Sequence, residues 1–164
     1  MSSSNHSLKR TFSRTDKILE AVGLALMLVM WGCAIWFYTH SPEVVPTHFT
    51  FSGKADGFGG KTSFFTAPAI ASGLYLLLSV IAGRPRLFNY PVAITAENAQ
   101  RQYNNVALFL RALKICILIL FILIEWHTFK SARGQQPGNW VFGVALALVQ
   151  VPVFWFLIRS VRNQ

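Results

Sequence analysis

Apolar positions gather into four long runs separated by short polar stretches. Residues 18–38 carry a single charge, Glu20, at the very start, and residues 62–83 carry none. Two further runs span residues 106–126 and 140–158. Each reaches the roughly 20 mainly apolar residues needed to cross the hydrocarbon of a bilayer. With no water there to satisfy stray backbone groups, each run predicts a helix. β-branched and aromatic residues favour strands in water, but uninterrupted run length outranks that propensity here. Barrel strands would be about ten residues long and alternate polar with apolar; Leu74 to Ile81 shows no alternation. The expected architecture is an all-α, four-helix transmembrane bundle forming one membrane domain over residues 16–164. A Ser-rich, disordered cytoplasmic tail is expected over residues 1–15.

The third run is interrupted by charge. Arg111 and Lys114 lie one turn apart on one helix face, and only ten residues separate Lys114 from Glu125. The leading reading is that both cations snorkel to the nearby interface. The other is an intramembrane cation serving an anionic lipid or a buried partner. Aromatics mark an interfacial belt on one side: Trp36, Phe37 and Tyr38, Phe64 and Phe65, Trp126, and Trp140. Trp31 and Trp155 lie deeper and read as packing residues. Pro68 suits the first turn of its helix, whereas Pro152 is inside the fourth and should kink it.

Composition supports lipid as the solvent. Of 164 residues, 53% are hydrophobic and only 13% charged, against about a quarter charged in soluble domains. Yet Lys and Arg number 15 against six acids. Eleven of those cations flank the N-terminus, the middle loop and the C-terminus, and four (Lys54, Lys61, Lys130, Arg133) lie in the other two loops. The positive-inside rule then puts both termini in the cytoplasm of a multi-pass inner-membrane protein, with residues 39–61 and 127–139 outside. Anionic lipid accounts for the basic flanks, so no nucleic-acid partner is expected. A basic start before an apolar run mimics a signal peptide, but the run is too long and no A-x-A site follows. Cys33 and Cys116 fall within separate runs and make neither a disulfide framework nor a zinc motif.

The outer loop holds the most detailed motif. Ser52-Gly53 and Asp56-Gly57 are turn signals, and the stretch reads as a short strand or hairpin folded back on the membrane surface. Strict alternation would point Thr47, Phe49 and Phe51 one way and His48 and Thr50 the other, with Phe49, Phe51 and Phe58 near the interface. His48 and Asp56, with His40 and Glu43 nearby, are the loop residues that suggest chemistry. Their spacing matches no metal-ligand motif, so no metal or cofactor is expected. His48 as a hairpin hydrogen-bonder and Asp56 in an Asx turn with Gly57 is the leading reading; recognition of an external ligand is the other. No nucleophile elbow or phosphate loop is present, and the protein is not expected to be an enzyme. On the other side, Thr95 reads as an N-cap with Glu97 in the first turn. A helix is therefore expected from near Ala96, running unbroken into the third span. Asn98, Gln102 and Asn105 would lie near the inner interface. Asn89, Tyr90 and Pro91 form either a packed turn or a docking point.

The pattern Pro46-x-His48-Phe49-x-Phe51-x-Gly53-x-x-Asp56-Gly57-Phe58-Gly59 between two helices resembles the SdpI-type bacterial membrane proteins. Phe88-Asn89-Tyr90-Pro91, Thr95-Ala96-Glu97-Asn98 and Tyr103 resemble the segment before the third helix in short members. The resemblance covers residues 18–114. It implies an integral membrane protein whose N-terminal portion is a domain of unknown function. Some members are immunity factors against secreted peptide toxins, and some hold a repressor at the membrane. The expected function is thus immunity-like or receptor-like, with a peptide or envelope ligand at the outer loop. The alternative is an accessory subunit of a membrane transporter complex, with a membrane protein as partner.

Overall fold

The computed structural model describes residues 13–84 and 87–163. It is a four-helix bundle with a two-stranded antiparallel sheet between the first two helices. Helix α1 spans Arg14–His40, strands β1 and β2 span Val44–Phe49 and Ala55–Gly60, and a 3-10 turn, Lys61–Phe65, leads into α2, Thr66–Gly83. Helices α3, Ala99–Ala132, and α4, Trp140–Arg162, complete the chain. All four helical segments are long and apolar enough to cross a membrane. The expected tail lies outside the described residues up to Phe12. Its last three residues cap and open α1, and cations Lys9, Arg10 and Arg86 also lie outside.

Helix α1 begins with a capping box: Asp16 N–H donates to Ser13 Oγ at 3.1 Å while Ser13 N–H donates to the Asp16 carboxylate at 2.9 Å. This satisfies two of the orphan donors of a helix start. Thr95 caps as expected: Ala99 N–H donates to the Thr95 carbonyl at 3.0 Å, and residues 96–98 form a capped turn that leads into α3. In it Asn98 N–H reaches Thr95 Oγ1 at 3.3 Å and Thr95 N–H reaches Asn98 Oδ1 at 2.9 Å. From Ala99 it runs unbroken for 34 residues, about 50 Å of rise, well beyond a hydrocarbon core of about 30 Å.

Helix α3 is the axis of the molecule: α1, α2 and α4 all pack on it, and α1 and α2 touch each other little. Three apolar clusters stack along it. Ala82, Val106, Phe109, Leu110 and Phe156 form one at the end where α1 begins and α4 ends, hereafter the basic end. Met30, Ala71, Tyr75 and Leu118 form the middle. Phe37, Val45, Phe64 and Phe129 form the hairpin end. The outer helix faces are apolar, with Leu28 75% exposed and Leu76, Leu146 and Val151 also outward. Contiguous apolar surface of this kind needs lipid, not water, as its solvent. The chain is therefore a multi-pass membrane protein in contact with the bilayer. Trp31 does pack, donating to Ser72 Oγ at 3.2 Å, whereas Trp155 is an outward-facing residue under the Arg159 guanidinium.

One close approach fixes how α1 meets α2. A Cβ on Gly23 would sit 2.9 Å from the Tyr75 ring and 3.0 Å from its hydroxyl. Gly23→Ala is expected to displace Tyr75 and cost about 1–3 kcal/mol as overpacking, read as an earlier unfolding midpoint in an SDS titration. In a Tyr75→Ala background the same change should cost little; an equal cost there would show the clash is not the cause.

Candidate functional site

The hairpin end is a built structure. Strands β1 and β2 pair with Val45 opposite Gly59 and Pro46 opposite Phe58, but the register is irregular on both sides of His48. Strict alternation along the loop therefore fails. Phe51 lies beyond the strand, in the turn. Phe49 sets its ring edge-on to His127 at 4.6 Å, and Phe51 stacks on Phe142 at 6.3 Å while staying 88% exposed. The bulge brings His48 against Gly57 so closely that a Cβ there would lie 2.9 Å from His48 Cβ. Only glycine fits.

His48 Nδ1 donates to Asp56 Oδ1 at 2.5 Å across the strands, on an exposed face. The two residues singled out for chemistry thus pair with each other. Their neighbours are engaged elsewhere: His40 Nδ1 donates to the Trp36 carbonyl at 2.8 Å, and Glu43 pairs with Lys61 at 2.8 Å, closing the hairpin base. Among the described residues no three His, Cys, Asp or Glu side chains converge as a metal site would require.

Val45 anchors the hairpin in the cluster of Phe37, Phe64 and Phe129. The connection between α3 and α4 is tied to the same end. His127 Nε2 donates to the Gly138 carbonyl at 3.1 Å, and a Cβ on Gly53 (φ +83°) would lie 3.4 Å from Gly138. Between hairpin and connection runs a groove of about 410 Å³ bounded by Pro46, Lys54, Phe58, Ser131, Gln135 and Gln136. A second cavity, about 430 Å³, lies beneath β1 between α2 and α3.

The candidates at the basic end are not brought into one site. Asn98 is buried in its turn and donates to the Ala93 carbonyl at 2.9 Å. Tyr90 rests on Phe88 and Tyr103, and burial, helped by the neighbouring Tyr103 phenol, pushes its hydroxyl pKa upward. Asn89, Pro91 and Glu97 are exposed. Gln102 and Asn105 are fully buried against the end of α4. Gln102 Nε2 donates to the Ser160 and Asn163 carbonyls at 2.9 and 3.1 Å, and Asn105 Nδ2 donates to Ser160 Oγ at 2.8 Å. They clamp α3 to α4.

Snorkelling is overturned. Arg111 and Lys114 are 3% and 2% exposed and point into the bundle. Arg111 pairs with Asp16 at 3.1 Å and Glu20 at 3.0 Å. Lys114 Nζ meets Glu20 at 2.8 Å, donates to Ser79 Oγ at 2.9 Å and stands over the Tyr75 ring at 4.2 Å. Tyr75 O–H donates to Glu20 at 2.9 Å. Among the described residues, two acids on α1 and two cations on α3 compensate one another in the core, joined by α2. A low-dielectric interior admits charge only when it is compensated in this way. The signal available in the sequence was spacing: Asp16 and Glu20 are one turn apart, as are Arg111 and Lys114.

Comparison with known proteins agrees with this picture at a coarse level. No solved structure matches the chain. An uncharacterized protein of Archaeoglobus fulgidus is 24% identical over 158 residues, covering 88% of this chain and 86% of that protein. Residues 25–71, from the middle of α1 through the hairpin into α2, match DUF1648, a domain of unknown function found in SdpI-like membrane proteins.

Proposed function

We propose that the protein is a non-enzymatic recognition protein of the cell's inner membrane. Both termini lie in the cytoplasm and the hairpin end faces outward. The groove between the hairpin and the α3–α4 connection takes an extended peptide, as an immunity-like or receptor-like protein would. The observation that carries this reading is the groove itself. An anchored hairpin presents Lys54 and Phe58 opposite Ser131, Gln135 and Gln136, a mixture of one apolar ring and polar groups suited to a peptide backbone. The orientation rests on the basic flanks at the other end, where Arg14, Lys17, Arg84, Arg101, Arg159 and Arg162 lie among the described residues.

The test is protection of cells. Phe58→Ala with Gln135→Ala, and separately His48→Ala with Asp56→Ala, are expected to raise sensitivity to a cognate secreted peptide toxin at least tenfold with expression unchanged. Unchanged sensitivity across a toxin panel would count against the reading. So would a stoichiometric protein partner on purification in mild detergent, which is what a transporter subunit would give.

A further inference from the structure

Glu125 lies on the length of α3 that faces β1 and α2, and it is 2% exposed. Neither of its carboxylate oxygens has a hydrogen-bond partner, and among the described residues no ion pair forms there. This contrasts with Asp16 and Glu20 on the same bundle, both compensated by cations. A carboxylate taken out of water without a partner is costly, and it is neutralised either by a proton or by a bound cation.

Glu125 lines the cavity of about 430 Å³ beneath β1. Four hydroxyl-bearing residues, Thr47, Ser63, Thr66 and Thr128, share that lining, while Ile70 and Phe121 supply an apolar wall. No Lys, Arg or His is among the lining residues. The space is far larger than a bare ion needs and falls within the range of small-molecule pockets. Hydroxyls can accept from an N–H group while the wall covers a hydrocarbon stem.

We propose that this cavity binds an ammonium group carried on a short apolar stem, with Glu125 as its counter-charge and the surrounding hydroxyls as acceptors. The amine comes either from a soluble or peptide-borne primary amine or from the headgroup of an aminophospholipid. The cavity is separate from the groove assigned to the peptide backbone, and its test reads amine binding, not protection of cells.

The experiment uses the full chain in nanodiscs of phosphatidylglycerol at neutral pH. Binding of n-butylammonium and of the neutral n-butanol is followed by calorimetry. The wild type should bind the ammonium at least tenfold more tightly than the alcohol. Glu125→Gln, nearly the same shape, should bring the two within twofold, and Ile70→Trp, which fills the space and keeps the carboxylate, should abolish both, each with unchanged helical circular dichroism. Repeating the titration in discs containing phosphatidylethanolamine separates the sources. Competition there identifies the lipid headgroup, and unaltered binding identifies a soluble or peptide amine. Equal binding of ammonium and alcohol by the wild type, or ammonium binding unchanged in Glu125→Gln, would overturn the proposal.

Discussion

Arg111→Leu is expected to lower stability by about 3–5 kcal/mol, the usual consequence of removing one partner from a buried ion pair. The side chain joins Asp16 at 3.1 Å to Glu20 at 3.0 Å. Without it, Glu20 keeps Lys114, which already meets it through both oxygens. Asp16 loses its 3.1 Å guanidinium contact at a position 2% exposed. The measurement is the SDS or thermal unfolding midpoint in detergent. The double variant Asp16→Asn with Arg111→Leu is again electroneutral and should recover most of the loss. A single variant as stable as the wild type would show that the network contributes no net pairing. A double variant no better than the single would show that the loss was one of packing.

Phe129→Ala is expected to cost a similar amount, about 3–5 kcal/mol for a large core ring cut to a methyl, and to act on the hairpin. The Phe129 ring stacks on Phe37 at 4.6 Å and packs with Val45 and Phe64. That cluster seats β1 on the bundle; between helices in lipid such shape-matched packing replaces the hydrophobic drive available in water. Tryptic cleavage after Lys54, in the hairpin turn, should accelerate at least tenfold, while Phe129→Leu should restore most of the protection. Cleavage at an unchanged rate would mean that the hairpin is held by the Glu43–Lys61 pair and its backbone ladder alone.

How far each feature could be read from the residues depends on the range of the interaction behind it. Run length and hydropathy are local, and all four helices fall where residues 18–38, 62–83, 106–126 and 140–158 placed them. The hairpin follows from Gly53 and Gly57, also local. Helix ends were harder. Thr95 does cap the start, accepting from Asn98 N–H three residues on, and the capped turn 96–98 precedes α3 at Ala99. The far end of α3 was misplaced because charge at Glu125 and the aromatic Trp126 resemble an interface. The helix continues to Ala132, which puts Glu125 inside the bundle wall. Pairings between helices were not legible at all. One-turn spacing of acids on α1 and cations on α3 makes them complementary, yet nothing local says that these two helices face each other and not lipid. The same limit hid the partners of Gln102 and Asn105 at the end of α4, and the irregular register around His48.

The charged core also imposes an order on biogenesis. Glu20 and Lys114 are 94 positions apart, so at about 5–20 residues per second the first helix is made roughly 5–20 s before its counter-charge exists. Helix α2 arrives in between and brings Tyr75, whose hydroxyl is the first stabilising group Glu20 can meet. Until α3 is inserted, Glu20 lacks the two cations it meets in the folded bundle. The charged core therefore closes only when the third helix is in place.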